Sequence, residues 1–204
     1  MCKFCSIKAN QGRPNDACKR VNIYMLLEAI EIALECDKEI DDIFISGGVI
    51  NKDFDRNFLW YSGIAKAVKE KLISMDKNTE VTLNTYPPCD LDLIECLRDS
   101  NIAVMLSLET VDTQLREKIC PGKSVLFASH GVDNLFKRFV DVVGKGRVLA
   151  FVIEGIEDEE EILRGVSKYG AMGVSVVVHV LHVDPGTWIA EQNMTAPSPE
   201  VILE

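Results

Sequence analysis

Residues 147–153 have the sequence Arg-Val-Leu-Ala-Phe-Val-Ile, a nearly unbroken apolar run that decides the fold class. Its β-branched and aromatic residues favour a strand, and the absence of polar alternation indicates a strand buried on both faces. Four other short runs have the same character, at 42–46, 80–85, 103–109 and 174–180. Strands of this kind are typical of a parallel sheet that is covered by helices.

Helical periodicity fills the intervals between these runs. The sequence predicts helices at about 25–36, 58–73, 91–98, 132–143 and 159–169. Asp90 is a good N-cap for the third of them, and His130 is expected in a loop. Five strands that alternate with helices predict an α/β fold, either a doubly wound sheet or a (β/α) barrel. Both architectures place their chemistry at the carboxyl ends of the strands.

The composition is that of an ordinary globular protein, with 204 residues of which 47% are hydrophobic and 26% are charged. A net charge of -10 disfavours nucleic-acid binding, because phosphate backbones are repelled. The sequence contains no apolar stretch of the ~20 residues that a membrane span requires. It also has no signal-peptide pattern, so we expect a cytoplasmic protein that acts without a membrane.

Two of the seven cysteines lie three residues apart, in the segment Met1-Cys2-Lys3-Phe4-Cys5. Two thiolates on one tight turn can bind the same metal ion or iron–sulfur cluster. The pair is only half of such a site, so further ligands are required. A zinc or redox module, with Cys18 as a third thiol, is an alternative that the spacing leaves open. The scattered cysteines are typical of small buried or surface residues: Cys18, Cys36, Cys89, Cys96 and Cys120.

Glycines and polar residues gather where the predicted strands end, in segments 46–48, 84–86, 107–110, 154–155 and 182–187. Because parallel strands bring their carboxyl ends to one edge, we expect these segments to build a site together. Asn84, Tyr86, Arg116 and His182 are candidates to contact a substrate there. His179 and His182 have a spacing that puts them on opposite faces of an extended strand, so they are poor partners for one metal.

The cysteine segment resembles the hallmark of the radical S-adenosylmethionine (radical SAM) enzymes, which is Cys-x-x-x-Cys-x-aromatic-Cys. Cys2-Lys3-Phe4-Cys5 matches its last four positions, with Phe4 as the aromatic residue. The resemblance implies that Cys2 and Cys5 are two of three thiolate ligands of a [4Fe-4S] cluster. It places the first cysteine three residues before Met1. We therefore expect a chain that begins inside the motif and is truncated at both ends.

The first of the later strand ends resembles the family's Gly-Gly-Glu segment. Ser46, Gly47 and Gly48 occupy that place, and Val49 stands where a glutamate is usual. The family's segment receives the methionine amino group of S-adenosylmethionine through its backbone. The resemblance therefore implies that Ser46, Gly47 and Gly48 bind this cofactor, without a side-chain role for position 49.

Three further segments resemble cofactor-binding parts of the family in the same order. Glu109 falls where the family often places a polar residue that binds ribose. Residues 153–158, with Gly155, are similar to the segment that packs on adenine. Gly186 and Thr187 resemble the turn that closes over the nucleoside. The resemblance implies that all four residues are cofactor-binding.

The resemblance implies that residues 1–204 form one radical SAM core domain, a partial (β/α)6 TIM-like barrel that holds strands two to six and lacks the first. Its cofactors would be a [4Fe-4S] cluster and S-adenosyl-L-methionine. The cofactor would be cleaved reductively to a 5'-deoxyadenosyl radical, which takes hydrogen from a small-molecule substrate, with a ferredoxin or flavodoxin as electron donor. Segment 107–123 looks nearest to biotin synthase and lipoyl synthase. A catalytically incompetent barrel fragment is a further alternative.

Overall fold

The computed structural model describes residues 2–5, 22–36, 39–48 and 53–197. It contains a five-stranded parallel sheet whose strands lie side by side in sequence order. The prediction of an α/β fold with parallel strands is confirmed, and each predicted strand agrees with the structure to within one residue at either end. The strands are β1 (Asp42–Ser46), β2 (Glu80–Asn84), β3 (Ala103–Glu109), β4 (Val148–Glu154) and β5 (Val174–Val180).

The helices alternate with the strands as the periodicity predicts, and the described residues contain three additional helices. The second helix begins four residues earlier than expected, because the carboxylate of Asp53 caps it by accepting a bond from the Arg56 amide at 3.0 Å. The helices are α1 (Ile23–Cys36), α2 (Phe54–Ser74), the 3₁₀ helix Leu91–Leu97, α3 (Thr113–Ile119), α4 (Pro121–His130), α5 (Val132–Val143), α6 (Glu159–Ala171) and α7 (Trp188–Glu191).

The expected loop around His130 is wrong, because His130 is the last residue of α4. Pro121 opens this helix at its first position, where its missing N–H is not needed. Gly131 follows with a φ of 75°, a conformation that ends the helix. Over the residues that the structure describes, no helix combines the length and the apolar character needed to cross a membrane.

The sheet packs one face against helices and turns the other toward the interior of the partial barrel. Successive side chains along a strand point to opposite faces. On the helix-covered face they are fully buried, as for Leu83, Leu106 and Val152. On the inner face Leu149 and Phe151 are only half-buried. The main core therefore lies between the sheet and its helices, and the inner face stays available for a site.

The end of β3 and the segment after it are held in place by the buried side chain of Arg116 and the half-buried side chain of Glu157. Arg116 is 1% exposed and donates hydrogen bonds to the carbonyl oxygens of Leu108 (3.1 Å), Thr110 and Val111 (3.2 Å). The carboxylate of Glu157 accepts bonds from the Val111 amide (2.6 Å) and the Asp112 amide (2.9 Å). Because Arg116 binds the carbonyl groups of this loop and Glu157 binds its amides, the end of β3 has a fixed position.

Helix α6 approaches the same loop closely at Gly165, and this contact generates a test with an internal control. A β-carbon on Gly165 would collide with the side chain of Val111. Gly170 lies on the same helix, and no described atom lies within 4 Å of its missing β-carbon. We expect Gly165→Ala to lower the free energy of unfolding by about 1–3 kcal/mol, as overpacking does. Gly170→Ala should raise it by about 0.5–1 kcal/mol, because glycine weakens a helix.

Urea denaturation followed by circular dichroism measures both effects. Equal effects of the two substitutions would show that α6 does not approach Val111 as the structure has it.

Candidate functional site

A pocket of about 160 Å³ opens at the carboxyl ends of β1, β2 and β3. This is the edge where the sequence predicts a site, and Ser46 and Gly47 are among the residues that form it. The pocket also has an aromatic wall. It is lined by Ser46, Gly47, Asn84, Thr85, Tyr86, Pro87, Ser107, Lys123 and Phe127.

Lys123 is the cation of this pocket. It lies on α4 and is 8% exposed. Its ammonium group is ion-paired with the carboxylate of Glu109 and donates a hydrogen bond to the carbonyl oxygen of Ser107 at 3.2 Å. Burial acts to lower the pKa of Lys123, but the Glu109 charge outweighs it and leaves the pKa above its usual value. The pocket therefore contains a permanent positive charge.

Glu109, the predicted ribose-binding residue, is 4% exposed at the end of β3. Its φ is 69°, a left-handed conformation that residues other than glycine seldom adopt. The register between β3 and β4 shifts between Ser107 and Glu109, so the strand contains a bulge there. Bulges next to active sites redirect a side chain. Here the bulge directs the carboxylate of Glu109 toward Lys123.

Two of the substrate-contact candidates lie in the pocket. The side-chain oxygen of Asn84 accepts a hydrogen bond from the Ser107 hydroxyl at 3.1 Å, which joins β2 to β3. Tyr86 places its ring 5.5 Å from the Lys123 ammonium. Burial is the main cause that raises the pKa of Tyr86, so the phenol stays protonated at neutral pH. The pocket thus combines one cation with hydroxyl and amide groups.

Gly47 lines the pocket, and it lies with Gly48 beside Tyr61 of α2. The Tyr61 hydroxyl donates a hydrogen bond to the carbonyl oxygen of Gly48 at 2.9 Å. The Tyr61 ring occupies the volume that a β-carbon on Gly47 would need. Gly47 is therefore required for close approach of the ring, which the sequence alone did not predict.

The cysteine turn, residues 2–5, lies at the same edge of the sheet. The Lys3 amide donates to the carbonyl oxygen of Ile119 at 2.9 Å, and the Lys3 carbonyl accepts a bond from the Trp188 amide at 3.0 Å. The Lys3 ammonium also lies 4.3 Å from the centre of the Trp188 ring. These contacts fix the turn between the end of α3 and the start of α7.

Phe4, the aromatic residue of the cysteine segment, stabilises the turn through the packing of its ring. It packs against a small apolar cluster of Ile153, Leu181 and Ile189, which is separate from the main core. Burial of such a ring removes apolar surface from water and so stabilises the turn. The aromatic position of the motif therefore has a packing role in this structure.

Cys2 lies beside the buried thiol of Cys120 and within electrostatic reach of Lys123 and Glu109. A hydrogen bond from Cys120 is the largest cause that lowers the pKa of Cys2 to about 7; burial opposes it, and the Lys123 charge adds to it. The same hydrogen bond, together with burial, raises the pKa of Cys120. Cys120 is fully buried, as expected for a scattered cysteine, but its contact with Cys2 was not predicted.

The thiols of the cysteine turn are suitable ligands for a [4Fe-4S] cluster, but they are too few for one. Cys2 and Cys5 are half-buried free thiols on one turn, and they satisfy two of the three ligands that such a cluster takes. Within the described residues, no group of three or more Cys, His, Asp or Glu side chains is arranged to hold a metal ion. The turn therefore fits two thiolate ligands, and the third does not come from this part of the chain.

The remaining predicted residues gather around the small apolar cluster and not in the pocket. Gly155 has a φ of 94°, and the place of its β-carbon lies 2.6 Å from Pro197. Gly186 has a φ of 79° in the turn before α7. The Thr187 hydroxyl donates to the carbonyl oxygen of Asp184 at 2.6 Å and caps α7. These residues adjoin the cysteine turn through Trp188.

Two candidate substrate residues lie outside the pocket. Arg116 is occupied by three backbone carbonyl groups after β3, so its role is structural. His182 is 84% exposed and pairs with Asp184 at 3.0 Å. His179 faces the barrel interior and stacks on Phe151, with 4.5 Å between ring centres.

Comparison with known proteins gives a structural likeness and no sequence match. No protein-family model matches the chain, and no curated protein matches it in sequence. The structure resembles that of HydG, a maturase of the [FeFe]-hydrogenase, with a TM-score of 0.60 and 15% identity over 90% of this chain and 42% of that protein.

Two radical SAM methyltransferases are also similar. One, from Sphaerobacter thermophilus, has a TM-score of 0.54 and 15% identity over 91% of this chain and 63% of its own. The other is TsrM from Kitasatospora setae, solved with cobalamin and a [4Fe-4S] cluster bound. It has a TM-score of 0.55 and 13% identity over 94% of this chain and 37% of its own. This chain therefore shares its fold with these three proteins. The chain spans less than two thirds of the length of each of these proteins.

The contact between Gly47 and Tyr61 is testable by a double-mutant cycle. We expect Gly47→Ala to lower the free energy of unfolding by about 1–3 kcal/mol, because the new methyl group displaces the ring. In a Tyr61→Ala background the same change should have little effect. Gly48→Ala is the matched control, since no described atom lies within 4 Å of its missing β-carbon. Urea denaturation measures the four proteins of the cycle and the Gly48→Ala control, and an equal effect of Gly47→Ala in both backgrounds would exclude the contact.

The buried ion pair generates a second test. Lys123→Met leaves the Glu109 carboxylate buried without its partner, so we expect a loss of about 3–5 kcal/mol in the free energy of unfolding. The double variant Lys123→Met/Glu109→Leu removes both charges and should recover most of that loss. Lys118→Met, at an exposed position on α3, is the control and should change stability by less than about 0.5 kcal/mol. The single variant Glu109→Leu completes the cycle. If the loss of stability in the double variant equals the sum of the losses in the two single variants, the two side chains do not interact.

Proposed function

We propose that this chain is the core of a radical SAM enzyme, which binds a [4Fe-4S] cluster and S-adenosylmethionine. The main support is the position of the cysteine turn. It lies at the carboxyl edge of a partial parallel barrel, and Cys2 faces the buried Lys123–Glu109 pair that borders the pocket. The fold shared with two radical SAM methyltransferases agrees with this proposal.

Each part of the site has a role in this proposal. Cys2 and Cys5 provide two thiolates to the cluster, and the third comes from outside the described residues. The backbone of Ser46, Gly47 and Gly48 receives the methionine amino group. When bound, the cluster would supply the low-potential electron that cleaves S-adenosylmethionine to a 5'-deoxyadenosyl radical.

The charged pair would orient the two ends of the cofactor. Lys123 offers a cation to the methionine carboxylate, while Glu109 is available to the ribose hydroxyl groups. Gly155, Gly186 and Thr187 lie on the side of the small apolar cluster, where the nucleoside would pack. The pair would present one cation and one anion to the zwitterionic amino-acid end of the cofactor, whose charged groups need partners when they are buried.

The inner face of the sheet would protect a radical from water. Met105 is 8% exposed and Ile153 is 6% exposed on that face, and Phe151 and Phe127 add aromatic surface. A water-excluding wall limits quenching of a reactive intermediate. We propose a small-molecule substrate in this space, an electron donor such as a ferredoxin or flavodoxin, and the nearest affinity to biotin synthase and lipoyl synthase.

The proposal is tested by adding a cysteine at the position that the motif predicts for the third ligand. The chain would be produced with a Cys-x-x extension before Met1 and with a matched Ser-x-x extension. Both proteins would be reconstituted anaerobically with iron and sulfide, then mixed with S-adenosylmethionine and dithionite. We expect 5'-deoxyadenosine from the Cys-extended protein and a large loss of it, at least tenfold, in the Ser-extended protein and in a Cys5→Ser variant.

Iron and acid-labile sulfide analysis accompanies the assay. A Cys-extended protein that holds the cluster and forms no 5'-deoxyadenosine contradicts the proposal. Zinc without iron or sulfide in the purified protein instead supports the zinc or redox module.

A further inference from the structure

Strand β5 lies at one edge of the sheet, and among the described residues it pairs with β4 alone. Its sequence, residues 174–180, is Val-Ser-Val-Val-Val-His-Val, without proline, lysine, arginine or a carboxylate. Natural edge strands usually contain such residues, because unpaired backbone groups otherwise bind another strand. The outer edge of β5 has no such protection and is therefore suited to pairing.

The direction of the backbone shows which groups of β5 are free to pair. The Leu181 amide donates a hydrogen bond to the Glu154 carbonyl oxygen at 2.8 Å, so residue 181 directs its backbone groups toward β4. Successive residues of a strand direct these groups to alternate sides. The residues that direct their N–H and C=O groups to the outer edge are therefore the even-numbered ones: Val174, Val176, Val178 and Val180.

The edge is complementary to itself. If a two-fold axis passes through Val177, an antiparallel pair of β5 strands places Val176 opposite Val178 of the second copy. The same axis places Ser175 opposite His179, and the two terminal valines opposite each other. Apolar residues thus face apolar residues, and polar residues face polar ones. The outward-directed valines also occupy the hydrogen-bonded positions of the antiparallel ladder, so their backbone groups meet as donors and acceptors.

We propose that this edge is an interface between two copies of the chain, in which the β5 strands pair antiparallel and join two sheets into one. The charges at the ends of the strand are complementary in this arrangement. The exposed Lys145 lies against Gly173, just before β5, and Glu154 pairs in register with Val180 at its end. Antiparallel pairing brings the lysine of one copy to the carboxylate of the other, which favours this orientation.

Apolar side chains beside the edge would be buried by the second copy. Val178 and Val180 are exposed although they lie on the helix-covered face, where Val152, the register partner of Val178, is fully buried. Helix α6 packs beside β5 and exposes Leu163 and Val166. Removal of such surface from water adds to the backbone bonds and favours association.

The opposite edge of the sheet is less suited to pairing. Strand β1 has five residues against seven in β5. It also contains a charged residue, Asp42, whose carboxylate accepts a hydrogen bond from the Thr82 hydroxyl at 3.1 Å. A charge on an edge strand opposes the approach of another strand. The structure therefore favours β5 as the interface.

Analytical ultracentrifugation of the full chain tests the association. We expect a reversible equilibrium between monomer and dimer. Val178→Pro removes an outward-directed N–H, which a proline on an edge tolerates, so each dimer loses two hydrogen bonds and should dissociate at least about tenfold more readily. Val178→Lys should weaken the dimer as well, because it places a charge beside Val176 of the second copy. Val125→Lys, at an exposed valine of α4, is the control and should leave the equilibrium unchanged.

A disulfide crosslink tests the register of the two strands. Val177→Cys places two thiols on the axis, where facing residues lie about 4.5 Å apart between α-carbons, within the range of a disulfide. Ser175→Cys is the control, since its two copies would lie about 13 Å apart along the strands at ~3.3 Å per residue. Trypsin releases residues 169–204 as one peptide without a native cysteine. Under mild oxidation we expect a crosslinked pair of this peptide from Val177→Cys and none from Ser175→Cys.

The outcomes that overturn the interface are distinct from those that bear on the cluster. A chain that stays monomeric at every concentration, assemblies larger than a dimer, or a dimer that Val178→Lys leaves unchanged would each exclude it. Equal crosslinking of the two cysteine variants would exclude the register. Because the crosslink does not depend on the variants of Val178, a folding defect in those variants does not affect it. Neither measurement requires a cluster or S-adenosylmethionine, so the result is independent of the proposed function.

Discussion

The ion pair between Lys123 and Glu109 is the interaction on which the arrangement of the site depends. Each group is nearly inaccessible to water, so either charge alone would be strongly unfavourable in this position. The pair couples α4 to the end of β3 and thereby places one helix over the pocket. It also accounts for the left-handed backbone of Glu109, because an ordinary strand conformation would direct the carboxylate elsewhere.

Hydrogen bonds around this pair maintain the strained, left-handed backbone conformation of Glu109. Arg116 donates hydrogen bonds to the carbonyl group before Glu109, that of Leu108, and to two after it, and Glu157 accepts bonds from two amides of the following segment. Burial is the main cause that raises the pKa of Glu157, which the two backbone bonds partly offset. A loop that is bonded from both sides cannot relax the bulge, so the strain remains at the residue that faces the pocket.

The sheet could be predicted because its signal is local. Residues 42–46 and 103–109 are short apolar runs bounded by polar residues, and burial of such runs requires no knowledge of distant residues. The positions of Glu109 and Gly47 at strand ends followed for the same reason. The two helices after Glu109 were not predicted, since they are short and each joins the next without a clear break. Helix α4 brings Lys123 into the pocket, where a lysine on a helix would ordinarily be expected in solvent.

The contact between Cys2 and Cys120 could not be found in the sequence either, because it depends on tertiary packing of the cysteine turn. That turn has its own support, distinct from the main core. The cluster of Ile153, Leu181 and Ile189 with Phe4 is small, and two backbone bonds of Lys3 and its contact with the Trp188 ring add to it. Regions with few buried apolar contacts open at lower free energy than a main core. The sheet can therefore stay folded while the ligand turn opens, so the cysteine turn can be the adjustable part of an otherwise fixed scaffold. In such a design the stability of the fold and the availability of Cys2 are controlled by separate sets of contacts.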